Sequence, residues 1–313
     1  MIIDQDHFVE SIQAPSLNGI SSFRKSDLLN ESMQTQFRAL VSKLNILSLS
    51  ARPDISYEVK ILTTKYGKAT KFDIMQAVKL LQKVKRISTK VTIPSLGEIK
   101  DWMLVAYSDA ATKKIDHAFS VAGHVIFLVN KRTHAASPIT WSSKKIERVV
   151  SSSLAAETLG VVKLIGVLYF IKEILKQMYG REQGNIPCLT LIDSKDLHEA
   201  VHNVKNSNDK RLLGDILQIK QAIAVDGIID ELRLIPSHEM MADVLTKGGR
   251  NGEILLESVR NGKLFIAGGT MIERSKKIEA STWRKLIQAQ SEGFDTLEEA
   301  GLDAMIDSNN DIK

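Results

Sequence analysis

The chain has 313 residues, enough for about two domains of ordinary size. Its 43% hydrophobic and 25% charged residues are the balance of a globular protein with a buried core, which excludes disordered and collagen-like architectures. The net charge of +5 is unevenly spread: residues 286–313 hold seven acidic residues against one lysine, whereas residues 60–90 hold nine lysines and arginines against Asp73 alone, an asymmetry that points to nucleic acid.

The single cysteine, Cys188, has no partner for an intramolecular disulfide, and with the scattered histidines it argues against structural zinc. The first residues, Met1-Ile2-Ile3-Asp4-Gln5-Asp6, turn acidic before any apolar run develops, so no signal peptide is expected. The longest apolar stretch, 159–171, contains Lys163 and is shorter than the roughly 20 residues of a membrane span, which predicts a buried core helix. The reading is of a soluble intracellular protein, cytoplasmic or nuclear, with no membrane partner.

In chain order, residues 31–90 read as helical. Phe37, Leu40, Val41, Leu44 and Leu47 recur at helical spacing. Pro53 then disfavours helix at the residue before it, and two more helical patterns follow over 55–64 and 72–84, the second placing Ile74, Val78, Leu81 and Val84 opposite lysines. Residues 101–247 alternate differently. Strands are predicted at 103–107, 123–129 and 139–143, then a long helix over 153–178 with Ser152 or Ser153 as its cap. An apolar run at 188–192, a helix over 209–224, a strand at 231–235 and a short helix at 238–246 complete the pattern, that of a mixed sheet with helices packed on it. From Gly268 a helix around 283–290 precedes the acidic end.

Four acids stand where burial is costly. Asp109 closes the 104–108 strand, Glu157 lies in the first turns of an apolar helix, Asp193 closes 189–192, and Asp243 sits among Ala242, Val244 and Leu245. An ionised carboxylate in such surroundings needs a partner or a metal, and four together would repel one another unless hard divalent cations neutralised them. Singly, each has a plainer reading as a turn or cap residue.

Five segments, Tyr107-Ser108-Asp109-Ala110, Ile139-Thr140-Trp141-Ser142-Ser143-Lys144-Lys145, Leu154-Ala155-Ala156-Glu157-Thr158, Ile192-Asp193-Ser194 and Ala242-Asp243-Val244-Leu245-Thr246-Lys247, occur in one order. Together they resemble the ribonuclease H domain of copia-type LTR-retrotransposon Pol polyproteins, over about 101–262. Upstream, Gln36-Phe37-Arg38-Ala39-Leu40-Val41-Ser42-Lys43-Leu44 and Ala51-Arg52-Pro53-Asp54-Ile55-Ser56 look like the C-terminal end of the same family's reverse transcriptase.

The resemblance implies an α/β ribonuclease H-like mixed five-stranded sheet with flanking helices over 101–262, a helical thumb- or connection-like remnant over 1–95, and an acidic tail over 268–313. It implies an endonuclease that hydrolyses the RNA strand of RNA–DNA hybrids, with Asp109, Glu157, Asp193 and Asp243 as catalytic ligands of two Mg²⁺, or Mn²⁺, ions. His238, five residues before Asp243, either takes the place of the auxiliary catalytic histidine of cellular ribonucleases H or is a surface-loop histidine. Lys144, Lys145 and Arg148, and Lys210 and Arg211, either contact phosphates of the hybrid or form solvated faces. The expected partners are an RNA–DNA hybrid and the remainder of a reverse transcriptase or Pol. With no adjacent Asp-Asp pair, the chain is not expected to be a complete reverse transcriptase. The alternative is a catalytically silent, retroelement-derived remnant that only binds nucleic acid.

Overall fold

The structure, a computed structural model, describes residues 1–264 apart from 17–23, 25, 89, 113–118, 183, 203–209 and 251; of Lys210 and Arg211 only the backbone is described. The tail from 268 onward, with its expected helix at 283–290, lies outside the described residues.

The chain opens with a short strand, β1 (Ile2–Asp4), and a short helix, α1 (Asp6–Ser11). Helix α2 (Glu31–Ser50) starts where Asn30 Oδ1 accepts from Met33 N, and it buries Phe37, Leu40, Val41, Leu44 and Leu47. A 3-10 turn, Pro53–Ile55, leads into α3 (Ser56–Thr63). Then α4 (Lys71–Lys85) begins in a capping box made by Thr70 and Asp73. These helices share one apolar cluster that includes Val9, Phe37, Leu44, Ile55, Ile74 and Leu81. The basic side chains of α4 project from its other face, as its periodicity requires. The leader is not wholly helical: β2 (Lys90–Thr92) pairs antiparallel with β1, and three-residue strands are too short to register as periodicity.

A five-stranded sheet follows. Strands β3 (Trp102–Ala111), β4 (Val121–Asn130) and β5 (Ala136–Lys145) form an antiparallel meander. Helix α5 (Ser153–Tyr179), capped by Ser152 Oγ accepting from Ala155 N, crosses to β6 (Cys188–Ile192), which lies parallel to β3. Helices α6 (Lys195–His202) and α7 (Lys210–Ala224) lead to β7 (Glu231–Leu234), parallel to β6, and α8 (Glu253–Asn261) is the last helix among the described residues. The strand order is β5-β4-β3-β6-β7, so β3 is central.

Each face of the sheet has its own core. Leu104, Ala106, Ile126 and Leu128 pack against Val161, Leu164, Leu168 and Ile171 of α5. Val105, Tyr107, Val125, Phe127, Leu189 and Leu191 pack against Val244, Leu245, Leu255 and Val259 on the opposite side. Helix α5 is long and apolar enough to cross a membrane by length and composition, but its inward residues form the first of these cores. The sequence did not single out α8. The expected short helix at 238–246 is two 3-10 turns, Ser237–Glu239 and Met241–Leu245, broken by extended Met240.

Candidate active site

The sheet register brings two of the acids together. Tyr107 of β3 lies beside Leu191 of β6 in a parallel pair, so two residues further along both chains place Asp109 and Asp193 on the same face. Asp109 does not close its strand: β3 continues to Ala111 because β4 pairs with it as far as Val121. Glu157 comes from above, in the first turns of α5. Gly160 allows that approach, since a Cβ there would lie 3.3 Å from Ser108 Oγ and 3.7 Å from the carbonyl oxygen of Asp109. One carboxylate oxygen from each of Asp109, Glu157 and Asp193 lies within 4.8 Å of the others, at a cavity of about 300 Å³ that Ser153, Ser194 and Lys247 also line.

The fourth acid is reached through a lysine. Ala242, Val244 and Leu245 anchor the Met241–Leu245 turn in the core, so Asp243 projects from a fixed backbone. Gly123, opposite Asp109 on β4, admits this turn: a Cβ there would lie 2.7 Å from both Leu245 Cβ and Thr246 Cγ2. Thr246 Oγ1 donates to Asp109 Oδ2. Lys247 Nζ bridges Asp243 Oδ1 at 2.5 Å and Asp109 Oδ1 at 3.3 Å, and Arg250 Nε stands 3.4 Å from Asp243 Oδ2.

The electrostatics follow from burial and like charge. Burial, reinforced by Asp109 and Asp193, pushes the Glu157 carboxyl up to about 9. Burial also raises Asp109, to about 6, with Lys247 and the Thr246 hydroxyl working against the rise. Partial burial disfavours the Lys247 ammonium, but Asp109, Asp243 and Asp193 together hold its pKa above the ordinary lysine value. Glu157 Oε2 is buried with no hydrogen-bond partner among the described residues. An all-oxygen donor set with an unpartnered carboxylate oxygen and excess negative charge suits a hard divalent cation.

The other sequence-derived candidates are less central. Lys144 and Lys145 are exposed at the end of β5, where Lys145 pairs with Val121 and Val121 with Ala111, so they border the same end of the sheet as Asp109. Lys145 Nζ lies 5.6 Å from the Phe119 ring centroid. Arg148 is engaged by Asp215, both of whose oxygens accept from its Nη1 at 3.0 and 2.9 Å. The side chains of Lys210 and Arg211 lie outside the described residues. His238 is exposed, 3.7 Å from Glu239, and does not line the cavity. Trp141 serves packing: its Nε1 donates to Ser48 O at 2.6 Å. Thr246, Lys247 and Gly123 join the site only through the fold, although Thr246 and Lys247 belong to the Ala242-Asp243-Val244-Leu245-Thr246-Lys247 segment that carries the resemblance.

The central β3, the meander to one side, the two parallel strands to the other and the acids at the end of β3 define an α/β protein of the ribonuclease H-like fold. The chain is 29% identical over 220 residues to the retrovirus-related Pol polyprotein from transposon RE1 of Arabidopsis thaliana. It is 27% identical over 214 residues to the corresponding polyprotein from transposon RE2 of the same plant. Each alignment covers 68% of this chain and 14% of the polyprotein, so the chain spans about a seventh of the length of these curated relatives. The motif resemblance to retrotransposon Pol polyproteins is thus borne out along most of the chain. Among solved structures, the ribonuclease H1 LC11-RNase H1, isolated from compost by a metagenomic approach, is 16% identical with a TM-score of 0.34, over 46% of this chain and 92% of that one. No protein-family profile matches.

Proposed function

We propose that the chain is the ribonuclease H portion of a retrotransposon Pol and hydrolyses the RNA strand of RNA–DNA hybrids. The observation that carries this reading is the convergence of Asp109, Glu157 and Asp193 within 4.8 Å, with Asp243 joined to Asp109 through Lys247. Mg²⁺ or Mn²⁺ held by these carboxylates would supply Lewis acidity and activate water for phosphodiester hydrolysis.

The chain's own residues have separable tasks. Asp109 belongs to both groupings, the oxygen triad and the Lys247 bridge, and Thr246 orients its carboxylate. Lys247 offsets the negative charge of the cluster and so lowers the repulsion felt by an approaching phosphate. Lys144 and Lys145 extend positive charge outward from the same sheet end, suited to the backbone of a duplex. Residues 1–95 are read as the end of the reverse transcriptase and 101–262 as the nuclease.

A labelled RNA–DNA hybrid incubated with the protein and Mg²⁺ should be cleaved in its RNA strand, and Asp109→Asn should abolish cleavage while the protein remains folded. Hybrid binding without turnover by folded wild type in both Mg²⁺ and Mn²⁺ would overturn the nuclease reading in favour of a silent binding remnant.

A further inference from the structure

The Ala51-Arg52-Pro53-Asp54-Ile55-Ser56 segment contributes no residue to the acidic cavity, yet its two charged side chains are almost wholly buried. Arg52 donates through Nε and Nη2 to the two carboxylate oxygens of Asp54, at 2.8 and 2.9 Å. Its Nη1 donates to Val84 O and Ile87 O at the end of α4, at 3.0 and 3.3 Å. Lys83 of α4 stands 3.8 Å from Asp54 and 3.7 Å from Glu58. The turn is therefore tied firmly to the helical unit behind it.

Its other side meets the segment that follows Asp243. A Cβ on Gly252 would lie 2.9 Å from Asp54 Cβ, and a Cβ on Gly248 would lie 3.2 Å from Tyr57 Cε1. Two glycines thus let the helical unit rest directly on the backbone next to Lys247, and Gly249 between them holds φ +73°, a conformation that L side chains rarely adopt. A small recess beside the acidic cavity is lined jointly by Tyr57, Thr246 and Lys247.

We propose that Tyr57, held by the Arg52–Asp54 turn, is a positioning residue for Lys247: the helical unit seats the Gly248 backbone and thereby keeps the Lys247 ammonium between Asp109 and Asp243. The inference rests on reading the acidic cluster as a divalent-cation site. The helical unit, which supplies no carboxylate to the cluster, then sets how much of the cluster's negative charge is open to a cation. Ala242, Val244 and Leu245 anchor Asp243 in the sheet-side core; the Pro53–Ile55 turn also lies against the Met241–Leu245 turn, but the Tyr57 ring itself meets Gly248, so loosening this seat acts first on Lys247.

The test is calorimetric titration of Mn²⁺ alone into the purified chain, with thermal unfolding to establish that each variant is folded. Lys247→Met removes the competing ammonium and should tighten Mn²⁺ binding. Tyr57→Ala should tighten it in the same direction, by about threefold or more, and should add nothing in the Lys247→Met background. If Tyr57→Ala fails to fold, Gly248→Ala disturbs the same contact from the other side, with the same expectation. The proposal is overturned if folded Tyr57→Ala, or Gly248→Ala in its place, binds Mn²⁺ as wild type does, or shifts binding equally with and without Lys247. A wild type that binds no Mn²⁺ overturns the cation-site reading itself, and this proposal with it.

Discussion

Glu157 is where the chemistry of the cluster is most exposed to measurement. Its carboxyl titrates at about 9 against an ordinary value of 4.5, chiefly because it is buried and then because Asp109 and Asp193 face it. Between those two values the folded state holds a proton that the unfolded state has lost, so stability falls as pH rises across the interval. Asp109, raised to about 6 from 3.8, contributes the same sign over the lower part of it. In the presence of a chelator, the thermal midpoint of wild type should therefore decline from about pH 5 to about pH 9. Glu157→Gln should lose most of that decline, and saturating Mn²⁺ should also suppress it in wild type, because a cation offsets the charge that deprotonation creates. Unfolding scans at several pH values, with and without Mn²⁺, check all three expectations.

At the scale of elements, the site is built by close approach at two glycines. Gly160 lets α5 settle on β3 at Ser108, so that Glu157, one turn earlier, brings a carboxylate oxygen within 4.8 Å of one from Asp109. Gly123 lets the Met241–Leu245 turn lie on β4 opposite Asp109. A side chain at Gly123 would have to displace Leu245 and Thr246, both fully or almost fully buried. Gly123→Ala should cost about 1–3 kcal/mol of stability by overpacking, read from urea unfolding. If the proposed nuclease activity holds, Gly123→Ala should also lower hybrid cleavage at a temperature where the variant is fully folded, because Thr246 and Lys247 move with the turn. The basic end of β5 allows a different test. If Lys144 and Lys145 meet backbone phosphates, Lys144→Gln and Lys145→Gln should each reduce the slope of log affinity against log salt by about one, measured by hybrid binding in Ca²⁺.

At the scale of the whole molecule, the core of the helical unit meets one of the two sheet cores through a few specific contacts. Ala51 packs into the sheet-side core, Trp141 Nε1 donates to Ser48 O, and the Pro53–Ile55 turn lies against α8 and the Met241–Leu245 turn. The buried Arg52–Asp54 pair holds this junction in shape. Removing one partner of a buried ion pair leaves the other charge uncompensated, so Asp54→Leu should destabilise the chain by about 3–5 kcal/mol in denaturant titration. The double variant Arg52→Met/Asp54→Leu, which leaves no unpaired charge, should recover part of that loss. The helical unit and the ribonuclease H-like unit are on these contacts one packed body among the described residues.

Much of this was legible along the chain. The short β-branched and aromatic runs at 103–107 and 123–129, set against the longer helical spacing of apolar residues in α2 and α4, mark the elements, because a strand buried on both faces needs apolar residues throughout whereas a helix needs them on one side. The placement of Asp109, Glu157, Asp193 and Asp243 marks the acids, because a carboxylate inside an apolar run is costly without a reason. What could not be read there concerns pairs distant in sequence. The bridge from Lys247 to Asp109 spans 138 residues, and Trp141 meets Ser48 across 93. Gly123, Gly160 and Gly248 look like any other glycines until the atoms they admit are known. Short elements such as β1, β2 and α8 are held by their neighbours more than by their own pattern. By itself, then, the sequence determined which segments become strands and helices and which acids demand neutralisation, since those are local consequences of solvation and backbone geometry. Only the tertiary structure decided which charges face one another, which backbone each glycine admits, and that the Arg52–Asp54 turn rests behind Lys247, because those contacts exist only once the chain has folded back on itself.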